Sequence, residues 1–179
     1  YFLKNYIMEG MVEEKNDTTN QNLHLLKDKW TMWAHLPDDT NWTINSYKNI
    51  ITLNSLEQSI QFFNIFPDLL IKNCMLFLMR EGIKPIWEDP RNINGGCFSY
   101  KINSKNILTC WKNLCCLILG ETITEDNICS HINGITISPK KNFCIIKIWL
   151  DTCEYTNPEI ISELSELPSY GCLFKKHIS

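Results

Sequence analysis

The sequence carries no surplus of positive charge: 17 Lys and Arg stand against 20 Asp and Glu, for a formal net charge of −3. A protein that grips duplex nucleic acid without regard to sequence needs a broad basic surface, so that class is excluded. A small anionic ligand held by a few local lysines is not. No apolar run reaches the length of a membrane span, and no stretch reads as a secretory leader. No C-x-x-C pair occurs among the nine cysteines, an odd number, and all lie in apolar or strand-like runs. Free thiols in a reducing, cytoplasmic compartment are therefore expected. No His-x-Glu or paired-carboxylate signature appears, and His24, His35, His131 and His177 are scattered. That leaves no acid/base set and no metal cluster, so neither an enzyme nor a cofactor is expected. Cys115 with His131 is the one formal nucleophile pair, and Cys115 falls within an apolar helical stripe, where a thiol is inert. There is no internal repeat.

What is present is 179 residues, one domain's worth, of which 44% are hydrophobic. Residues 1–24 open on an apolar patch and turn into a polar run without periodicity. They read as a flexible segment ahead of a folded domain over 25–179. Residues 30–35 read as a strand, 37–41 as a loop rich in turn residues, and 46–53 as a second strand. Ser55 caps a helix, with Gln58 completing a capping box; Leu56, Ile60 and Phe63 form its stripe, and Pro67 ends it. Strands follow at 74–80 and 97–102. A second helix carries Ile107, Trp111, Leu114, Cys115 and Ile118 and stops at Gly120. Residues 132–138 and 143–150 form a hairpin around the basic turn Pro139-Lys140-Lys141-Asn142. The sequence Asn157-Pro158-Glu159 predicts a third helix, with Ile160, Ile161, Leu164 and Leu167 apolar and Pro168 ending it. A last strand is expected at 171–176. The class is α+β, a single domain with a mostly antiparallel sheet and about three helices.

Six tryptophans are many for this length. Burial is the usual fate of such a ring, and Trp30, Trp33 and Trp111 read as packing. Trp42, beside a polar turn, and Trp87 do not. Residues 82–96, GIKPIWEDPRNINGG, place Trp87 directly before Glu88 and Asp89, with Pro85 and Pro90 as brackets and Gly95-Gly96 as the close. Proline removes a backbone donor, so the segment is a rigid loop rather than helix or central strand. It offers one flat π-surface and an adjacent acceptor. A planar cationic ligand with two neighbouring N–H groups suits it: the ring stacks on Trp, and one carboxylate takes both N–H bonds. N7-methylated guanine is such a ligand. Asp89 is read as structuring the loop, and Asn92 as a turn residue.

The run Trp30-x-x-Trp33, Trp42, Gly82-Ile83-x-Pro85-x-Trp87-Glu88-Asp89-x-x-Asn92-x-x-Gly95-Gly96, and Trp111 through Gly120-Glu121 resemble the mRNA cap-binding translation initiation factor 4E family. Gly134 and the strand end Ile148-Trp149 complete the likeness. The resemblance implies a curved antiparallel sheet backed by helices on its convex face, with the cap in the concave face of a cap-binding domain over 25–179. By position, Trp42 and Trp87 sandwich the methylated guanine, Glu88 accepts from its N1–H and amine, and Trp149 touches the N7-methyl group. For the triphosphate, Lys140 falls on the first of the family's two basic hairpin positions. Ile145 occupies the second. On a strand, Ile145, Lys147 and Trp149 share one face, so Lys147 replaces the missing charge, with Lys141 as the alternative. The family's Gly-Gly is followed by a basic residue; here it is followed by Cys97.

The resemblance also implies a partner surface on the convex face, through which the family binds its scaffold, a protein of the initiation factor 4G type. His24, Leu56, Ile60, Asn113 and Cys116 fall on it. Ile60 stands where the family has a tryptophan, and Asn113 and Cys116 replace an acidic and an aliphatic residue, so a diverged partner is expected. The implied protein is a monomer within a larger initiation complex, engaging 5′-capped mRNA and no membrane. A cap-binding repressor that does not engage the usual scaffold is the alternative, and the first residues, YFLKNYIM, covering the convex face in cis is a further one.

Overall fold

The computed structural model describes residues 23–178. Seven strands, β1 (Leu25–His35), β2 (Lys48–Ser55), β3 (Met75–Arg80), β4 (Gly96–Asn103), β5 (Ile132–Pro139), β6 (Phe143–Leu150) and β7 (Leu173–Lys176), form one sheet. Its order is β2-β1-β3-β5-β6-β4-β7, and every neighbouring pair is antiparallel. Register shifts interrupt the β1–β2 ladder twice and the β5–β6 ladder once, between Ile132 and Gly134. Such irregularities are where a strand bends and its twist increases.

Side chains alternate across that sheet. On one face Trp30, Met32, Leu76, Leu78, Phe98, Ile146 and Ile148 join the main core. On the other, Phe77, Met79 and Trp149 form a smaller cluster with Ile83. The helices are α1 (Leu56–Ile65), α2 (Asp68–Asn73), α3 (Ile107–Leu119) and the single turn α4 (Asp126–Cys129). Ser55 caps α1 by accepting from the Gln58 backbone N–H at 3.2 Å. The Gln58 side chain returns the bond to Asn54 N–H at 2.9 Å, one residue earlier than the capping-box pattern predicts. α3 turns Ile107, Trp111, Leu114, Cys115 and Ile118 into the core, as its spacing predicts, and Gly120 caps it.

On α1, Leu56 and Ile60 are about half exposed, Ser59 and Phe62 face inward, and Phe63 packs partly buried against the core. Phe62 packs against Phe66 with ring centroids 4.9 Å apart, a neighbouring stripe that spacing alone did not separate from Leu56–Ile60–Phe63. The helix expected from Asn157 is only a 3-10 turn, Pro158–Ile160. Asn157 caps it, but Ile161 turns extended (φ −82°, ψ 129°) and its backbone bond closes on Pro158. Ile161 and Leu167 reach the core from irregular chain, and the Ser162 N–H goes to the Ile123 carbonyl rather than to a helical turn. α2, between Pro67 and Cys74, was not foreseen; it is six residues long. The flexible segment expected at 1–24 lies almost wholly outside the described residues, as does any docking of YFLKNYIM. All nine cysteines are among the described residues, and all are unpaired. No helix of the described residues is long and apolar enough to cross a membrane.

Candidate functional site

The loop between β3 and β4 folds back over the smaller apolar cluster, with Ile83 tucked into it. Gly82 opens the loop at φ 80°, a left-handed conformation that costs glycine nothing. Gly95 closes it against β6 so tightly that a Cβ would lie 1.8 Å from the Leu150 carbonyl oxygen. Asp89 is buried, and its two oxygens accept from the backbone N–H groups of Lys84 and Arg91, each at 3.0 Å. It structures the loop, as the sequence predicts. Asn92 does more than turn the chain. It is fully buried, and its amide donates to the carbonyls of Lys84 at 3.1 Å and Ile86 at 2.8 Å. Asn133, from β5, donates to the Arg91 carbonyl at 2.7 Å and to Asn92 Oδ1 at 3.0 Å. His177 Nδ1–H donates to the Asn92 carbonyl at 2.6 Å. Sheet, loop and C-terminal strand are thus tied at one residue.

The consequence is a rigid frame that holds Trp87 and Glu88 outward. Trp87 is 46% exposed. Among the described residues its ring has no aromatic or cationic neighbour, and Glu88 has no hydrogen bond or ion pair. Trp42 is 58% exposed. One of its faces is covered by the buried His35, stacked at 4.2 Å with the planes 2° apart, while His35 Nε2–H donates to the Asn41 carbonyl at 2.8 Å. His35 meets Tyr47 edge-on at 5.1 Å, and Tyr47 meets Phe77 at 5.3 Å. Burial raises the Tyr47 phenol above its ordinary value, and the Glu88 carboxylate adds to the rise. Trp42, His35, Tyr47 and Glu88 therefore belong to one neighbourhood, although Trp42 and Glu88 are far apart in sequence.

Trp149 forms part of the floor. It is 7% exposed, packs with Phe77, Met79 and Ile83, and donates from Nε1 to Thr136 Oγ1 at 2.8 Å. Lys147 shares its face, paired with Thr136 and Ser99 where Trp149 pairs with Gly134 and Cys97. Lys140 and Lys141 are exposed in the hairpin turn. Lys175, opposite Cys97 across the β4–β7 ladder, lies near enough to the thiol to oppose, with Lys147, the rise that burial imposes on it.

On the helical side, Ile60, Asn113 and Cys116 are exposed beside the half-exposed Leu56. His24, also exposed, binds Glu57 of α1 at 2.6 Å. This bond holds the Glu57 carboxyl down at about 2. The Cys115–His131 pair finds no support: Cys115 is fully buried and its thiol is raised well above the usual range, chiefly by burial, while His131 bonds Asp151 at 2.9 Å. No group of His, Cys, Asp or Glu among the described residues is arranged to hold a metal.

The sequence model of the eukaryotic initiation factor 4E family matches residues 25–177. The chain belongs to that family. It is 34% identical over 157 residues to eukaryotic translation initiation factor 4E-1 of Schizosaccharomyces pombe, covering 83% of this chain and 70% of the relative. It is 29% identical over 150 residues to eukaryotic translation initiation factor 4E of Candida albicans, covering 78% and 70%. A 62-residue stretch is 50% identical to the homologue from Acanthamoeba polyphaga mimivirus, covering 34% of this chain and 23% of that one. Among solved structures, Ascaris suum eIF4E-3 with m7G cap is similar at TM-score 0.66 and 23% identity, covering 73% of this chain and 75% of the other. Schistosome eIF4E with m7GpppG and 4E-BP is similar at TM-score 0.68 and 20% identity, covering 75% of each. These likenesses are to the fold. Membership of a translation-factor family, rather than any missing catalytic group, answers the enzyme alternative.

Sequence reasoning missed His35, Tyr47, Asn133 and His177. His35 had a signal, its period-two spacing from Trp33 on β1. Asn133 sits before Gly134 and looks like a turn residue. Tyr47 and His177 had none.

Proposed function

We propose that this chain binds the 7-methylguanosine cap of mRNA to recruit it for translation initiation. The observation that carries the reading is the pair of exposed indoles, Trp42 and Trp87, joined through His35 and Tyr47 to an uncommitted Glu88. Trp42 and Trp87 sandwich the methylated base. The cation on N7-methylguanine favours the indole faces by about 1–2 kcal/mol, and stacking adds about 1–3 kcal/mol per ring. Glu88 accepts from N1–H and the exocyclic amine, a charge-assisted pair of bonds. Trp149 stands under the methyl group, and Lys140, Lys147 and Lys141 balance the triphosphate. Family membership supports the reading, as do the caps named with the Ascaris and schistosome proteins.

The convex face of α1 takes a helical segment of an initiation factor 4G-type scaffold, with Leu56 and Ile60 as its apolar centre and His24, Asn113 and Cys116 around it. The schistosome relative is described with 4E-BP, and one from C. elegans with the 4E-binding protein Mextli. Ile60 is 55% exposed but presents less surface than an indole. This favours a second reading, in which a cap-bound protein engages a diverged partner or none and so represses. Partners retained on the protein separate the two: scaffold and helicase together mean initiation, and their absence means repression.

Titration with 7-methyl-GTP and GTP, followed by intrinsic tryptophan fluorescence, tests the pocket. Strong quenching by the methylated nucleotide alone is expected. Trp87→Ala lowers that affinity about 100-fold, the loss of one stacked, charged ring, and Glu88→Gln lowers it as well. Equal binding of GTP defeats the reading.

A further inference from the structure

A cleft of about 500 Å³ opens at the end of the sheet where the β5–β6 hairpin turns. Lys72 and Asn73 enter it from the end of α2, Ser104 from the 3-10 turn that leads into α3, and Lys140 and Lys141 from the hairpin turn. Three lysines thus line one concavity. None of them is paired: the ion pairs among the described residues engage Lys27, Lys29, Arg80 and Lys112 and two histidines. Asp68, the one acid of α2, is taken by Lys112 at 3.1 Å. Unpaired like charges around a cavity repel one another, and an anion relieves that repulsion.

Ser104 supplies an independent observation. Its Oγ is shielded from solvent and has no hydrogen-bond partner among the described residues. Leaving such a group unpaired is costly; rotation about its Cα–Cβ bond brings it to an acceptor oxygen in the cleft that Ser104 lines. The same wall is the N-terminal end of the 13-residue α3, where Asn106 makes no capping side-chain bond. The positive end of the helix thus adds to the field of the lysines.

We infer that this cleft binds a backbone phosphate of the mRNA just downstream of the cap. The inference rests on the cap-binding reading. Continuity selects RNA over an acidic peptide. Lys140 and Lys141 belong both to the cleft and to the turn that meets the cap phosphates, so the cleft prolongs that track around the rim. The topology agrees: β1 ends at His35, beneath Trp42, opposite Met75, and Met75 lies two residues after Asn73. The first tryptophan and the cleft therefore occupy the same end of the sheet. A strand leaving the cap over the hairpin turn meets Lys72 and Ser104 next.

The test compares three ligands on the whole chain: 7-methyl-GTP, a short capped oligoribonucleotide, and the same oligonucleotide uncapped. In Lys72→Ala, affinity for 7-methyl-GTP stays unchanged, which also reports an intact fold. Affinity for the capped oligonucleotide falls roughly three- to tenfold, and the slope of log K against log salt becomes shallower by about 0.7, the signature of one single-strand phosphate contact. Ser104→Ala gives a smaller loss in the same direction, and Lys72→Arg restores binding. Unchanged affinity for capped RNA overturns the inference. So does an equal loss for 7-methyl-GTP, or loss of a phosphoserine peptide with RNA binding intact. Failure of the cap reading shows differently, as wild-type indifference to the methyl group. In that case the Lys72 dependence of the uncapped oligonucleotide still decides the cleft.

Discussion

Trp30 and Trp87 are the same side chain put to opposite uses on the two sides of one sheet. Trp30 is fully buried, and the Arg80 guanidinium lies over its ring at 4.6 Å. Four of the five N–H groups of that guanidinium are engaged. It bonds Asp28, reaches Glu121 at 2.8 Å, and donates to the carbonyls of Ile132 and Cys129, each at 2.7 Å. The arginine and lysine partners hold the Glu121 carboxyl below the usual carboxylate range against the opposing effect of its burial. Among the described residues Trp87 has no cation over its ring, and the acid beside it makes no hydrogen bond or ion pair. An aromatic whose cation is built in is architecture. An aromatic held open by a rigid loop, with a free carboxylate next to it, awaits a cation from outside.

Substitutions break or sharpen that contrast. Arg80→Met is the most damaging. It leaves Glu121 with one fewer partner at a buried site and frees two carbonyls, so chemical denaturation finds stability lower by about 3–5 kcal/mol. Trp87→Ala is the mirror image: affinity collapses while stability moves by less than about 1 kcal/mol. Asn92→Ala stands between them. The side-chain amide joins the loop to β5 through Asn133, and its loss costs about 1–3 kcal/mol and weakens 7-methyl-GTP binding although Asn92 touches no ligand. Hydrogen exchange in residues 84–92 rises in parallel.

A weaker effect comes from His177, whose ring packs on Trp149 at 4.8 Å. Burial lowers its pKa below the ordinary 6.5, helped by nearby Lys147 and opposed by the bond to Asn92. Between the lowered value and 6.5 the unfolded chain binds more protons than the folded one. The contribution of His177 is therefore complete above 6.5 and is lost as pH falls through that window. Thermal melts of the wild type lose stability there, and His177→Gln melts lack that component. Smallest of all, Ile60→Ala changes stability by less than about 0.5 kcal/mol, because the side chain already faces water. Retention of a scaffold segment, measured by pull-down, is where its effect shows.

Much was legible beforehand. The α3 stripe, the hairpin and the Pro-bracketed loop are local patterns, and local spacing suffices for them. The α1 stripe was legible only as a pattern: both Leu56–Ile60–Phe63 and Ser59–Phe62–Phe66 have helical spacing, and nothing local says which faces the core. The helix expected after Asn157 failed because its cap was real while its apolar residues were drawn to the core separately, by contacts beyond the reach of local propensity. The role of Asn92 was illegible for the same reason, since two of its partners, Asn133 and His177, are 41 and 85 residues away.

The sequence by itself determined that one loop carries Trp87-Glu88-Asp89 between prolines and that the chain is one α+β domain. These follow from residue chemistry and short-range periodicity. Only the tertiary structure decided which tryptophans are covered. It laid His35 under Trp42, brought Tyr47 to Glu88, folded the loop over Phe77 and Met79, and gathered Lys72, Ser104 and Lys140 around one cleft. The physical reason is that exposure and charge pairing belong to neighbours, and a curved antiparallel sheet chooses neighbours by strand pairing, across distances that no local pattern encodes.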